Sequence, residues 1–222
     1  MSLWVKICAN TNLEDALLAA EAGADAVGFV FAPSKRRVTA EQVAAIVPGL
    51  PAALEKIGVF VDATAGQMEE TVRLAGLTGV QLHFDAPLAR TAEMRQRLGA
   101  GCKILRVLHF GSAKISVDML VKLIDPNVDA VLVDSRSATA VGGTGQRFDW
   151  IQASETLFHV ARERGVKLVV AGGLNPENVA EALRTLQPWG VDAVTGVEAA
   201  PGKKDAAKIR AFVAAAKKRQ QA

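Results

Sequence analysis

The stretch Lys167-Leu168-Val169-Val170-Ala171-Gly172-Gly173-Leu174-Asn175-Pro176-Glu177-Asn178-Val179 sets the reading of the whole chain. Its opening run, Lys167–Ala171, is almost continuously apolar and valine-rich, the pattern of a strand buried on both faces. The glycine pair that follows allows backbone conformations and close approaches that a side chain would block. Asn175 before Pro176-Glu177 reads as an N-cap with proline at the first helical position, so a helix is expected over Pro176–Leu186. Strand, glycine turn and helix make one βα unit.

The same unit recurs in both directions. Strands are expected at Leu3–Ile7, Ala26–Phe31, Glu55–Val61, Gly79–Leu82, Lys103–Leu108, Ala130–Val133, Lys167–Ala171 and Val191–Val194. Amphipathic helices are expected between and after them, at Leu13–Ala22, Ala40–Val47, Gly66–Ala75, Arg90–Leu98, Ile115–Ile124, Ile151–Arg164, Pro176–Leu186 and Ala206–Lys218. Thr39 offers an N-cap, and Gly23 and Gly165 offer helix stops. Repeated βα units need a parallel sheet with right-handed crossovers, and this many close naturally into a barrel. The expectation is therefore an α/β fold, a (β/α)8 TIM barrel, as a single domain over residues 1–222; no Pro/Gly/Ser-rich linker divides it. An open doubly wound sheet is the alternative, though it typically uses fewer strands.

Composition excludes several classes. The 222 residues are 50% hydrophobic and 22% charged, ordinary for a globular chain. With 26 basic against 23 acidic residues, the formal charge is +3 and the cations are scattered, so no nucleic-acid face is expected. The basic cluster Lys217-Lys218-Arg219 reads as a solvated helix end. Two cysteines, Cys8 and Cys102, make neither a disulfide framework nor a zinc pattern. No signal peptide or membrane span is visible, so a cytoplasmic protein without membrane or nucleic-acid partners is expected. No large apolar stripe is evident; a monomer is the default expectation, with a homodimer as the alternative.

Barrel active sites sit where strands run into helices, and phosphate sites commonly follow the seventh and eighth strands. Gly172-Gly173 and Thr195-Gly196 occupy those two places, ahead of helical N–H groups that suit an anion. Either glycine pair alone could be an ordinary tight βα turn; the two together, in this fold, suggest a phosphosugar-type ligand. The loop after the sixth strand, from Asp134 to Trp150, is long enough to suggest function, and its Gly143 and Gly145 offer N–H donors. The alternative is a surface lid without ligand contact.

Other strand ends carry reactive side chains. Cys8 ends the first strand; the bland alternative is a small buried hydrophobe. Asp134 ends the sixth strand, where a carboxylate needs solvent, a partner or a substrate, or serves as a cap. Arg36 in the second loop is suited to a carboxylate, or is simply solvated. His83 and His109 match no metal motif and read as polar rim residues. His159 falls within a helix and reads as structural, and Cys102 lies away from the mouth.

In these segments the sequence resembles the phosphoribosylanthranilate isomerase family. The matching stretches are Val5-Lys6-Ile7-Cys8, Asn12-Leu13-Glu14-Asp15-Ala16, Gly23 to Phe31, Gly58-Val59-Phe60-Val61, Val80-Gln81-Leu82-His83, and Leu132-Val133-Asp134. They continue through Gly142-Gly143-Thr144-Gly145, Phe148-Asp149-Trp150, Gly172 to Val179, Gly196-Val197-Glu198-Ala199 and Pro201-Gly202-Lys203-Lys204-Asp205, in order along the chain. The resemblance implies an Amadori rearrangement in tryptophan biosynthesis. N-(5-phosphoribosyl)anthranilate becomes 1-(2-carboxyphenylamino)-1-deoxyribulose 5-phosphate, with no cofactor and no metal. It implies Cys8 as general base and Asp134 as general acid. It also implies Arg36 on the anthranilate carboxylate, and the loops of Gly143, Gly145, Gly172, Gly173, Thr195 and Gly196 around the substrate.

The chain departs from that family at Ala9, where a glycine is usual, at Asn10 for an apolar residue, at Phe84 for a glycine, and at Val194-Thr195 for a serine pair. The second loop is one residue short, which makes Arg36 rather than Arg37 an alignment choice. Two further hypotheses are an indoleglycerol-phosphate synthase and a silent phosphosugar- or partner-binding barrel. The first needs catalytic lysine and glutamate at strand ends that lack them; the second is disfavoured by Cys8 and Asp134 together.

Overall fold

A computed structural model describes residues 3–109, 117–134 and 149–218. Eight strands, β1 Trp4–Ile7, β2 Ala26–Val30, β3 Glu55–Phe60, β4 Gly79–Leu82, β5 Lys103–His109, β6 Ala130–Asp134, β7 Leu168–Val170 and β8 Gly190–Ala193, pair in parallel in sequence order. β1 also pairs with β8, aligning Lys6 with Asp192, and the sheet closes as the expected barrel. The helices are α1 Leu13–Glu21, α2 Ala40–Ile46, α3 Ala65–Ala75, α4 Leu88–Leu98, α5 Val117–Leu123, α6 Trp150–Ala153, α7 His159–Glu163, α8 Val179–Leu186 and α9 Ala206–Lys217. None of them is long and apolar enough to cross a membrane.

Local chemistry sets the helix ends. Thr39 and Thr64 both form capping boxes, with Gln42 and Gln67 returning the hydrogen bond. Gly23 and Gly165 take the left-handed conformation that stops a helix, at φ 93° and 68°. Three expectations need correction. The helix expected from Pro176 starts at Val179, because the Asn175 side chain caps a turn instead, accepting from Glu177 N at 3.1 Å and Asn178 N at 3.0 Å. The single helix expected over Ile151–Arg164 is α6 and α7 joined by a π-helical turn at Ser154–Phe158, whose wider path buries the consecutive Leu157 and Phe158. An unexpected hairpin, β9 Glu198–Ala200 with β10 Lys203–Lys204, follows β8.

The apolar residues fall into an inner and an outer set. Trp4, Ala26, Ile57, Leu105, Leu132 and Val169 fill the barrel, and a larger layer that includes Ile7, Phe29, Val131, Phe158 and Phe212 packs sheet against helices. The amino-terminal end of the barrel is closed by Trp4 stacked on Trp189 (5.3 Å between centroids), with Glu55 accepting from Trp4 Nε1 and paired with Lys103. Polar residues at this end serve stability.

One charge pair lies outside the barrel wall. The Arg106 guanidinium, 1% exposed, donates to Asp125 at 2.7 Å and to Ala86 O at 2.7 Å, and Thr91 Oγ1 donates to the same carboxylate at 2.5 Å. Removing the carboxylate leaves a buried cation uncompensated. Asp125→Ala is expected to lower the unfolding free energy by about 3–5 kcal/mol, read from urea denaturation. A loss below about 1 kcal/mol would show that Thr91 and Ala86 alone satisfy the guanidinium.

Candidate active site

Cys8 follows β1, and its N–H extends the barrel ladder by donating to Ala193 O at 2.9 Å. The side chain is 3% exposed. Its place depends on Gly28 of β2. A Cβ added there would stand 2.5 Å from the Cys8 Sγ and 3.0 Å from the Lys6 Cε, so the bare glycine makes room for both side chains. Lys6, fully buried, donates from Nζ to Gln81 Oε1 and to Asp192 Oδ1, each at 3.0 Å, and lies beside Cys8 across the space left by Gly28. Burial pushes the Cys8 thiol above its ordinary range and Asp192 adds to that; Lys6 and Lys204 oppose the shift only in part, and the net direction is upward. Burial acts to lower the Lys6 pKa, but Asp192 and Cys8 outweigh it and hold the ammonium charged.

Asp134 is the last residue of β6, aligned with His109 of β5. Its Oδ2 lies 3.7 Å from His83 Nε2, and His83 packs edge-on against His109 at 5.6 Å. Because Gln81 Oε1 accepts from Lys6, its amide nitrogen donates, and His83 Nδ1, 3.0 Å away, accepts. A neutral His83 therefore carries its proton on Nε2, facing Asp134. One line of hydrogen bonds runs from Asp192 through Lys6 and Gln81 to His83, with Cys8 beside Lys6 and Asp134 3.7 Å from His83 Nε2. The two histidines read as rim residues belong to this mouth cluster. Cys102 lies apart, its thiol pushed up to about 11 by burial. His159 faces solvent beside Glu163 at 3.4 Å.

The glycine loops meet. Gly172 and Gly173 have φ of 83° and 66°, a conformation that disfavours side chains. Gly196, in a 3-10 turn at Thr195–Val197, lies so close to the first loop that a Cβ would stand 2.0 Å from Leu174 O. Asn178 braces that loop, donating to Gly173 O at 2.8 Å and accepting from Asn175 N at 2.9 Å. Gly143 and Gly145 lie outside the described residues.

Arg36 is found with its fork already on a carboxylate: Nε and Nη2 donate to Glu198 at 2.8 and 2.7 Å. One edge of the guanidinium is used, and the Nη1 side remains for a second acceptor. Arg37 is exposed, whereas Arg36 turns into this network. Glu198 also accepts from Gly202 N at 3.2 Å and lies 3.5 Å from Lys204 Nζ. Lys204 in turn donates to Cys8 O at 2.6 Å and to Val194 O at 3.4 Å. The β9–β10 hairpin thus ties the first, second and eighth loops together. Lys6, Gln81, Asp192, Glu198 and Lys204 were missed as site residues. A charged or amide residue at the centre of an apolar strand, as in Val5-Lys6-Ile7, Val80-Gln81-Leu82 and Val191-Asp192-Ala193, is the signal that marks the first three.

The departures beside Cys8 have a visible cost. Ala9 sits at φ 63°, where a non-glycine residue is strained by about 1–2 kcal/mol. Asn10 donates to Ile7 O at 2.8 Å, but its Oδ1 is buried without a hydrogen-bond partner.

Glu198 gives the network a pH signature. Burial acts to raise its pKa, but the Arg36 hydrogen bonds, Lys204 and Gly202 N–H more than offset that, and the net shift is downward. A carboxylate with a depressed folded pKa stabilises above its unfolded value and loses that stabilisation as pH falls through the folded one. Glu198→Gln is expected to flatten the acid limb of a Tm-against-pH curve. A variant whose acid limb matches the parent would show that the Arg36 pair adds nothing to stability.

Comparison with known proteins identifies the family. The profile of the family described as N-(5'phosphoribosyl)anthranilate (PRA) isomerase matches residues 5–215. The N-(5'-phosphoribosyl)anthranilate isomerase of Pelobacter propionicus is 45% identical over 214 residues, covering 96% of this chain and 95% of that protein. A phosphoribosyl anthranilate isomerase solved in complex with reduced 1-(o-carboxyphenylamino)-1-deoxyribulose 5-phosphate is 36% identical, with a TM-score of 0.80 over 97% of this chain and 98% of its own. A monomeric form of the dimeric enzyme from Thermotoga maritima is similar at 36% identity and a TM-score of 0.79, over 97% of this chain and 98% of its own. On the family match and these identities, the chain belongs to the N-(5'-phosphoribosyl)anthranilate isomerase family.

Proposed function

We propose that this chain isomerises N-(5-phosphoribosyl)anthranilate to 1-(2-carboxyphenylamino)-1-deoxyribulose 5-phosphate in tryptophan biosynthesis, with Cys8 as general base and Asp134 as general acid. The observation that carries this reading is the order of the mouth. Four neighbouring strands of the closed barrel, β6, β7, β8 and β1, lead at their carboxyl ends to Asp134, Gly172-Gly173, Thr195-Gly196 and Cys8. A phosphate seated on the two glycine loops places the sugar between a carboxyl group and a thiol.

The chemistry follows from that placement. The Asp134 carboxyl gives its proton to the furanose ring oxygen as the C1–O bond breaks, and the nitrogen lone pair forms the C1=N bond of an iminium ion. The Cys8 thiolate takes the C2 proton, and the released electron pair closes C1=C2, neutralising the nitrogen. The resulting enaminol becomes the ketone when C1 gains a proton and the C2 hydroxyl loses one. Arg36, through its Nη1 side, is placed to hold the anthranilate carboxylate, with Glu198 fixing the plane of the guanidinium. Gly143 and Gly145 would add N–H donors from the sixth loop. The chain's own side chains suffice for these proton transfers, so no metal or cofactor is invoked. The reading includes a cytoplasmic protein acting as a monomer on a small molecule; the dimer of the Thermotoga maritima relative is the alternative assembly.

The test is turnover of freshly prepared phosphoribosylanthranilate in metal-free buffer, followed by loss of anthranilate fluorescence. Cys8→Ser and Asp134→Asn are each expected to lower kcat by about 10²–10⁴-fold while the proteins stay folded. Absence of turnover by the parent chain above the spontaneous rate would leave a silent phosphosugar-binding barrel as the better reading.

A further inference from the structure

We infer that Lys6 is a positioning residue for this reaction: its buried ammonium favours the ionised form of the Cys8 sulfur, the form that accepts a proton, against the burial that opposes it, and Asp192 and Gln81 hold Lys6. This rests on the reading of Cys8 as the base. The difficulty it resolves is physical. A thiol buried in an apolar wall resists ionisation, yet only the thiolate can take a proton from carbon.

Four charged groups act near the sulfur, and only one cation is aimed at it. Arg36 turns its Nε–Nη2 edge to Glu198, and its Nη1 side is the one assigned to the substrate carboxylate. Lys204 directs its ammonium to backbone oxygens, those of Cys8 and Val194. Asp192 opposes a thiolate. Lys6 remains: its Cε and the Cys8 Sγ converge on the space left by Gly28, 3.0 and 2.5 Å from where a Cβ would stand, which puts its ammonium beside the sulfur. Its other contacts, to Gln81 and Asp192 at 3.0 Å each, fix the ammonium and use two of its three N–H donors, leaving the third for the sulfur. In the cycle, Cys8 loses its thiol proton to solvent before substrate is bound. The thiolate, paired with Lys6, then takes the C2 proton, and Lys6 keeps its own protons throughout. Lys6 touches the base and not the substrate, so its loss is expected in kcat rather than KM.

The experiment titrates Cys8 directly, in a Cys102→Ala background that leaves it as the remaining cysteine. The thiolate's ultraviolet absorbance is followed against pH. Lys6→Met is expected to move the midpoint to higher pH, cutting the thiolate fraction by about 10-fold at mildly alkaline pH. It should also lower kcat by about 100-fold with KM within a few-fold of the parent, and Lys6→Arg should restore part of both. Asp192→Asn, which keeps the cation and removes the opposing carboxylate, should move the midpoint the other way; it serves if Lys6→Met does not fold. Folded Lys6→Met or Asp192→Asn protein that titrates as the parent overturns the inference. Cys8→Ser separates the two claims. If that variant retains turnover, the base assignment fails whatever the titrations show. If it loses turnover while Lys6→Met keeps both titration and kcat, only the role given to Lys6 fails.

Discussion

A charge pair is buried at the seam where the barrel closes. Lys6 on the first strand and Asp192 on the last face each other in register, 3.0 Å apart, at 0% and 5% side-chain exposure. Taking two ions out of water costs several kcal/mol each, and the attraction between them offsets this only with good geometry and further hydrogen bonds. Gln81, reaching from the far wall of β4, supplies one such bond. The pair therefore holds only in a closed barrel, where three strands converge on one ammonium. Cys8 lies beside the same ammonium, and Gln81, held by it, hydrogen-bonds His83 beside Asp134.

The two ends of the barrel use polarity differently. At the amino-terminal end, Trp4, Trp189, Glu55 and Lys103 form a stacked and charged floor that seals the interior. At the carboxyl end, a hairpin of a few residues does the holding. Glu198 and Lys204 each touch more than one loop, and the Cys8 backbone is fixed by a side chain from the eighth crossover. The strain at Ala9 and the unsatisfied Asn10 Oδ1 lie next to that bracket, where several other bonds hold the backbone. Local strain is tolerated where the surroundings over-determine it.

Legibility in the sequence followed the range of the forces involved. Strand order and the barrel came from local patterns, because a continuous apolar run and a capped amphipathic segment are short-range signals; the β4 limits, Gly79–Leu82, agree with the expectation. Helix starts were misplaced where a side chain competed with the helix for backbone N–H groups, as Asn175 does. Strand-end position singled out Cys8, Asp134 and the glycine loops. The groups that tune them were not singled out, because the pairing of Lys6 with Asp192 and of Arg36 with Glu198 spans most of the chain. A single sequence carries no direct trace of such partners beyond a polar residue standing in an apolar strand. The β9–β10 hairpin escaped because its strands are too short to show a period.

The bracket on Cys8 also bears on how the chain folds. Lys6 and Asp192 are 186 positions apart and Cys8 and Lys204 are 196 apart, so both contacts close very large loops. Such contacts raise the contact order and return stability only after the entropy of closure has been met. Early βα units can collapse on local contacts, but a partly assembled barrel has no seam and no held sulfur. Catalytic competence is thus expected to arrive with the final docking of the last strand rather than accumulate along the way, and a chain arrested before that step would be inert as well as incomplete.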